Sequence, residues 1–171
     1  MILRKLTAND EVAFTNYIKE QILSSGAIKG VRLEDGLDFT AYLSMLKSYE
    51  NIPFENYEQS KYPSYQFILE DNDKIVGAVV IRPYLTKTLN EEYEGNIGYS
   101  VSPSERGKGY ATKILSLAIN EYKKLNPNSN EIYICCYKEN IPSKRVIEKC
   151  GGVLVEELKG IVTPQKYLIK V

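Results

Sequence analysis

Arg106, Gly107, Lys108 and Gly109 stand together in the stretch "SERGKGYAT", directly ahead of a long apolar pattern that begins at Tyr110. Glycine is a poor helix former, so helix stability does not account for two of them at a helix start. A helix start presents unpaired backbone N–H groups and the positive end of the helix dipole. Both favour an anion, phosphate above all. Gly107 and Gly109 leave the backbone open to close approach, while Arg106 and Lys108 add positive charge. The physical reading is a pyrophosphate cradle; a tight turn that merely carries surface charge is the alternative.

Two familiar phosphate motifs fail here. The Walker pattern requires a glycine where Ser102 stands and Ser or Thr where Gly109 stands. The dinucleotide fingerprint, started at Gly107 and Gly109, meets Thr112 in place of its third glycine. The spacing that remains is R-x-x-G-x-A: Arg106, Gly109 and Ala111.

Composition narrows the chemistry. The 171 residues suit one domain, expected to run from 1 to 171. Twenty-two basic residues balance 22 acidic ones, which argues against a nucleic acid as partner. The chain has no histidine, which excludes Ser-His and Cys-His nucleophilic pairs and His-ligated metal sites. Three cysteines, with Cys135 and Cys136 adjacent, are not a disulfide framework. They read as core thiols of a cytoplasmic protein, and no metal site is expected. The N-terminal stretch has no signal-peptide pattern, and no segment has the length and apolarity of a membrane span.

The elements that would hold the turn follow from periodicity. A short strand is predicted over residues 2–6. A helix follows after Thr7 and Asp10, which have capping-box spacing; Phe14, Tyr17, Ile18, Gln21 and Ile22 fall near one face of it. A loop over 26–36 leads to a second helix to residue 50, and 51–63 reads as an irregular connection. Strands over 65–70 and 74–82 flank the Asp71-Asn72-Asp73 turn. Residues 83–94 read as a loop or short helix. Further strands are expected at 95–101, 131–137, 153–158 and 166–171. Residues 110–125 form the most regular helix, and 140–152 another, with Asn140 as N-cap and Gly151 as stop. The class is α/β or α+β with a mixed central sheet.

R-x-x-G-x-A resembles the acyl-CoA motif Q/R-x-x-G-x-G/A of the GNAT superfamily of N-acetyltransferases. "NIGYSVSPSERGKGYATKIL" is similar to that family's fourth strand, pyrophosphate loop and following helix, and "NIPSKRVIEKCGG" to its second cofactor-side helix. The similarity covers roughly residues 65–158 and is thin before them. Within the superfamily it is nearest to predicted bacterial acetyltransferases of unassigned substrate. The resemblance implies a mostly antiparallel sheet of about six to seven strands, splayed at the strand before the loop. There the exposed backbone of Tyr99, Ser100 and Val101 would pair with the pantetheine arm. The Val101 amide would bind the thioester carbonyl. Arg106, Gly107, Lys108, Gly109, Tyr110, Ala111 and Thr112 would hold the pyrophosphate, and Asn140 and Ser143 would approach the pantetheine.

The implied activity is transfer of acetyl from acetyl-CoA to a primary amine of a small molecule or peptide; a non-catalytic acetyl-CoA sensor is the alternative. The resemblance also allows a homodimer, and it involves no membrane. A lysine-like amine costs about 4–5 kcal/mol to deprotonate at neutral pH. Glu94 is the expected base, with Tyr99 as second candidate. Glu91, Glu92 and Glu94 point to a cationic acceptor or simply to a solvated face. Ile147 stands where many members carry the tyrosine that protonates the leaving thiolate. Tyr137, Tyr110 or solvent would then replace it.

Overall fold

The computed structural model describes residues 1–25, 30–31, 38–52, 62–86, 89, 94–158 and 163–171. The strands are β1 (Ile2–Arg4), β2 (Tyr65–Asp71), β3 (Lys74–Ile81), β4 (Ile97–Val101), β5 (Glu131–Tyr137), β6 (Val153–Glu157) and β7 (Pro164–Lys170). The helices are α1 (Glu11–Ser25), α2 (Phe39–Glu50), α3 (Tyr110–Leu125) and α4 (Ile141–Lys149). The expected helix and strand elements are present, with ends displaced by a few residues. The connections expected over 26–36, 51–63 and 83–94, together with Glu91 and Glu92, lie largely outside the described residues.

Among the described residues, seven strands form two antiparallel ladders, ordered β1-β2-β3-β4 and β5-β7-β6. The gap between them falls at β4, where a splay was expected. Asn96 closes the near end of that gap. Its amide donates to the Tyr133 carbonyl at 2.6 Å, and its side-chain oxygen accepts from the Tyr133 amide at 2.8 Å. Its Nδ2 donates to the Arg82 carbonyl at 3.0 Å. One buried asparagine thus joins β3 to β5, and beyond it the strands diverge.

One core spans both ladders. Phe67, Leu69, Val79, Ile81 and Ile97 of the first meet Ile132, Ile134, Tyr167 and Ile169 of the second. Ile114, Leu115, Ala118 and Tyr122 of α3 and Ile147 of α4 cover this face. The opposite face of the first ladder packs Ile68, Ile75 and Ala78 against Phe14, Tyr17 and Tyr42 of α1 and α2. β3 is therefore buried on both sides from Ile75 to Ile81, which explains its unbroken apolar run. On α1, Ile22 departs from the expected stripe: it is exposed, whereas Phe14, Tyr17 and Gln21 are buried.

The N-terminus of α1 is fixed as its spacing suggests. Asp10 Oδ2 accepts from the Thr7 amide at 2.7 Å, and Arg4 binds both Asp10 oxygens. The Arg4 hydrogen bond lowers the Asp10 carboxyl to a pKa of about 2.

Candidate functional site

A cavity of about 680 Å³ opens where β4 leaves β5. Its walls come from β4 (Tyr99, Ser100, Val101), the following turn (Glu105, Arg106, Gly107, Gly109), the start of α3 (Tyr110, Ala111, Thr112) and the start of α4 (Asn140, Pro142, Ser143, Val146). Gln21 of α1 closes it.

The backbone of β4 is directed by its pairing. Ser102 N–H donates to the Val76 carbonyl at 2.9 Å, toward β3. Successive amides of a strand point to opposite sides. The Tyr99 and Val101 amides therefore face away from β3, toward the side from which β5 has withdrawn. This is an open strand edge lining a cavity, the arrangement that an extended amide-bearing ligand can pair with.

At the far end the edge turns into α3. Gly107 and Gly109 have φ of +79° and +86°, the region that glycine occupies without strain. A Cβ at either position would meet nothing within 4 Å. The glycines thus serve the backbone conformation and leave an open approach, not internal packing. Gly109 is the N-cap of α3, so the first amides of that helix have no carbonyl partner in the preceding turn. Arg106 is exposed at the rim. The set fits a diphosphate by its chemistry: free amides, a helix dipole and a guanidinium.

Lys108 stands apart from this group. It is not a lining residue, and its ammonium donates to Glu105 Oε2 at 2.7 Å. Tyr110 lines the cavity, but its hydroxyl donates to Asp71 Oδ2 at 2.6 Å. Asn140 caps α4, its Oδ1 accepting from the Ser143 amide at 3.2 Å, and it faces the cavity as well.

Tyr99 crosses the cavity from β4 to α4, where its hydroxyl lies 3.0 Å from Ser143 Oγ. Burial pushes the phenol up to about 12, so it stays protonated at neutral pH. The hydroxyl therefore keeps its proton within the cavity. Ser100 points to the opposite side, 2.6 Å from the hydroxyl of Tyr17, which also accepts from Gln21 Nε2 at 3.1 Å. Ile147 is fully buried in the core beneath α4 and does not line the cavity. Glu94 lies outside the lining, half-exposed, with Arg82 at 3.0 Å. Burial raises Cys135 to about 12, and Cys150 is also raised by burial; both remain thiols near pH 7.

Sequence reasoning missed Gln21, Glu105, Pro142 and Val146 as lining residues, and Asn96 as the seam. Gln21 had a signal: an amide on the apolar face of α1, buried against β4. Asn96 had none, since nothing near it in sequence marks the partner it finds on β5.

Comparison with known proteins places the chain in a family. A family model described as an acetyltransferase (GNAT) domain matches residues 1–153. An uncharacterized N-acetyltransferase, YnaD of Bacillus subtilis (strain 168), is 30% identical over 151 residues, 88% of this chain and 78% of the relative. The chain therefore belongs to the GNAT acetyltransferase family, whose members are N-acetyltransferases. Among solved structures, yncA of Salmonella typhimurium, a putative acetyltransferase with its cofactor acetyl-CoA, superposes with a TM-score of 0.66 at 15% identity, covering 99% of this chain and 92% of that one. A spermidine N-acetyltransferase SpeG mutant from Vibrio cholerae gives 0.65 at 17%, covering 99% and 95%. At those identities the likeness is one of fold.

Proposed function

We propose that residues 1–171 act as one acyl-CoA N-acyltransferase domain, which acetylates a primary amine of a small molecule or peptide by direct attack on acetyl-CoA. The observation that carries this reading is the outward-facing edge of β4, followed through the Pro103–Glu105 3₁₀ segment by the left-handed Gly107 and Gly109 and the start of α3. When bound, the donor supplies an activated thioester carbonyl. The Tyr99 and Val101 amides bind the pantetheine arm, and the Val101 N–H stabilises the oxygen that gains charge during transfer. The amides from Arg106 to Thr112 hold the pyrophosphate, with Lys108 contributing charge at longer range while Glu105 holds it. Asn140 and Ser143 line the arm.

Two proton steps fall to this chain. The amine must lose a proton, at a cost of about 4–5 kcal/mol for a lysine-like group at pH 7. Glu94 takes it through water. Glu94 precedes β4, and Arg82 at 3.0 Å holds its carboxylate. The leaving sulfur needs a donor that Ile147 cannot provide. The Tyr99 and Ser143 hydroxyls, paired in the cavity, hold that proton. In this reading Tyr99, the second candidate for the base, serves the leaving group instead. A primary amine is supported by the family and by the amine substrate for which the spermidine N-acetyltransferase neighbour is named.

The test is incubation with acetyl-CoA and a panel of polyamines, amino acids and peptides, with free CoA read by a thiol reagent. Amine-dependent CoA release with a matching acetylated product is expected. Binding of acetyl-CoA without release for any amine would leave a sensor and overturn the catalytic reading.

A further inference from the structure

Ser102 to Arg106 form the turn that leads into the proposed phosphate-binding stretch, Arg106 to Thr112, and its 3₁₀ segment, Pro103–Glu105, has no side-chain cap of its own. Its exposed end would leave the Ser104 amide without a partner. Glu20 of α1 fills that place: its Oε1 accepts from the Ser104 N–H at 2.7 Å, across 84 residues of sequence. α1 is seated for this contact. Tyr17, one turn earlier on the same face, binds Ser100 on β4, and Gln21 binds Tyr17. From the other side, Lys74 donates to Glu105 Oε1 at 2.6 Å, and Asp71 accepts from Tyr110. The β2–β3 hairpin and α1 therefore grip the turn between them.

A carboxylate beside an anion site opposes binding by its charge. Its presence calls for a compensating role. Burial works to raise the Glu20 carboxyl, but the Ser104 amide and hydroxyl outweigh it and leave the group lowered, so Glu20 is a charged acceptor at neutral pH. Hydrogen bonds to charged acceptors are the stronger class.

We propose that Glu20 is a positioning residue for the donor's pyrophosphate: it fixes the Ser102–Arg106 turn, and so sets phosphate affinity from a helix outside both recognisable motifs. This rests on the reading of Arg106 to Thr112, which follow that turn, as the phosphate site.

The experiment compares wild type, Glu20→Ala and Glu20→Gln by calorimetry with two probes: acetyl-CoA, and S-acetylpantetheine, which lacks the pyrophosphate. Glu20 is half-buried on a helix surface and alanine is a strong helix former, so the variant folds. Glu20→Ala is expected to weaken acetyl-CoA about tenfold, equivalent to about 1.4 kcal/mol, and to leave S-acetylpantetheine unchanged. Glu20→Gln retains an oxygen for the Ser104 amide and should recover most of the loss. The proposal is overturned by unchanged acetyl-CoA affinity in Glu20→Ala, by equal weakening of both probes, or by Glu20→Gln as weak as Glu20→Ala. If wild type binds both probes equally well, the phosphate-site reading itself fails and takes this proposal with it. If wild type distinguishes them and Glu20→Ala does so equally, only the positioning role fails.

Discussion

Gly109→Asp separates what the turn does for the fold from what it does for the ligand. A non-glycine residue at φ +86° costs roughly 1–2 kcal/mol. No protein atom lies within 4 Å of the added Cβ, so no steric cost joins it. For a chain of this size the melting temperature should fall by roughly 2–8 °C, a modest fraction of ordinary stability. The ligand sees a different change. A carboxylate about 5 Å from one phosphate charge, at an effective dielectric near 20, opposes it by about 3 kcal/mol. That is more than a hundredfold in affinity, before any obstruction of the backbone amides. Calorimetry with acetyl-CoA, paired with a thermal melt, reads both effects. A folded variant that binds acetyl-CoA within about twofold of wild type would remove this turn from the donor site.

Tyr99→Phe and Ser143→Ala each break the hydroxyl pair, and each should lower kcat by about 10²-fold with a small effect on acetyl-CoA affinity; unchanged kcat in both would assign the proton to solvent. Asn140→Asp should keep the cap on α4, whereas Asn140→Ala should cost about 1 kcal/mol in denaturant melts. Ile147 is fully buried, so Ile147→Val should cost about 0.5–1.5 kcal/mol, and Ile147→Tyr should overpack the core by about 1–3 kcal/mol without raising kcat. The Asp10 carboxyl, held to about 2 by Arg4, contributes stability that is present above pH about 4 and disappears as pH falls toward 2. Arg4→Ala should flatten the stability-against-pH curve across that window in urea melts.

The elements around the cavity were legible because their chemistry is local. A left-handed turn needs glycine, a helix start needs a cap, and a doubly buried strand needs an unbroken apolar run; "SERGKGYAT", Asn140 and "IVGAVVI" carry those needs in consecutive residues. What escaped depends on contacts between distant segments. Glu20 reaches Ser104, Gln21 closes a cavity built from other elements, and Asn96 joins strands far apart in the chain. Only Gln21, an amide on an apolar helix face, carries a sign of its role in sequence. Tyr99 shows the same limit within one position. Its place on β4 was plain, but whether it gives or takes a proton depends on its burial and on Ser143, 44 residues away.

The most direct measurement is residue-resolved amide hydrogen exchange with and without acetyl-CoA. The Tyr99 and Val101 amides face the cavity, while Ser102 is already bonded to Val76. Acetyl-CoA should protect Tyr99 and Val101, together with the amides from Gly109 to Thr112, and leave Ser102 unchanged. Protection elsewhere, with Tyr99, Val101 and the start of α3 unaffected at saturating acetyl-CoA, would contradict the account.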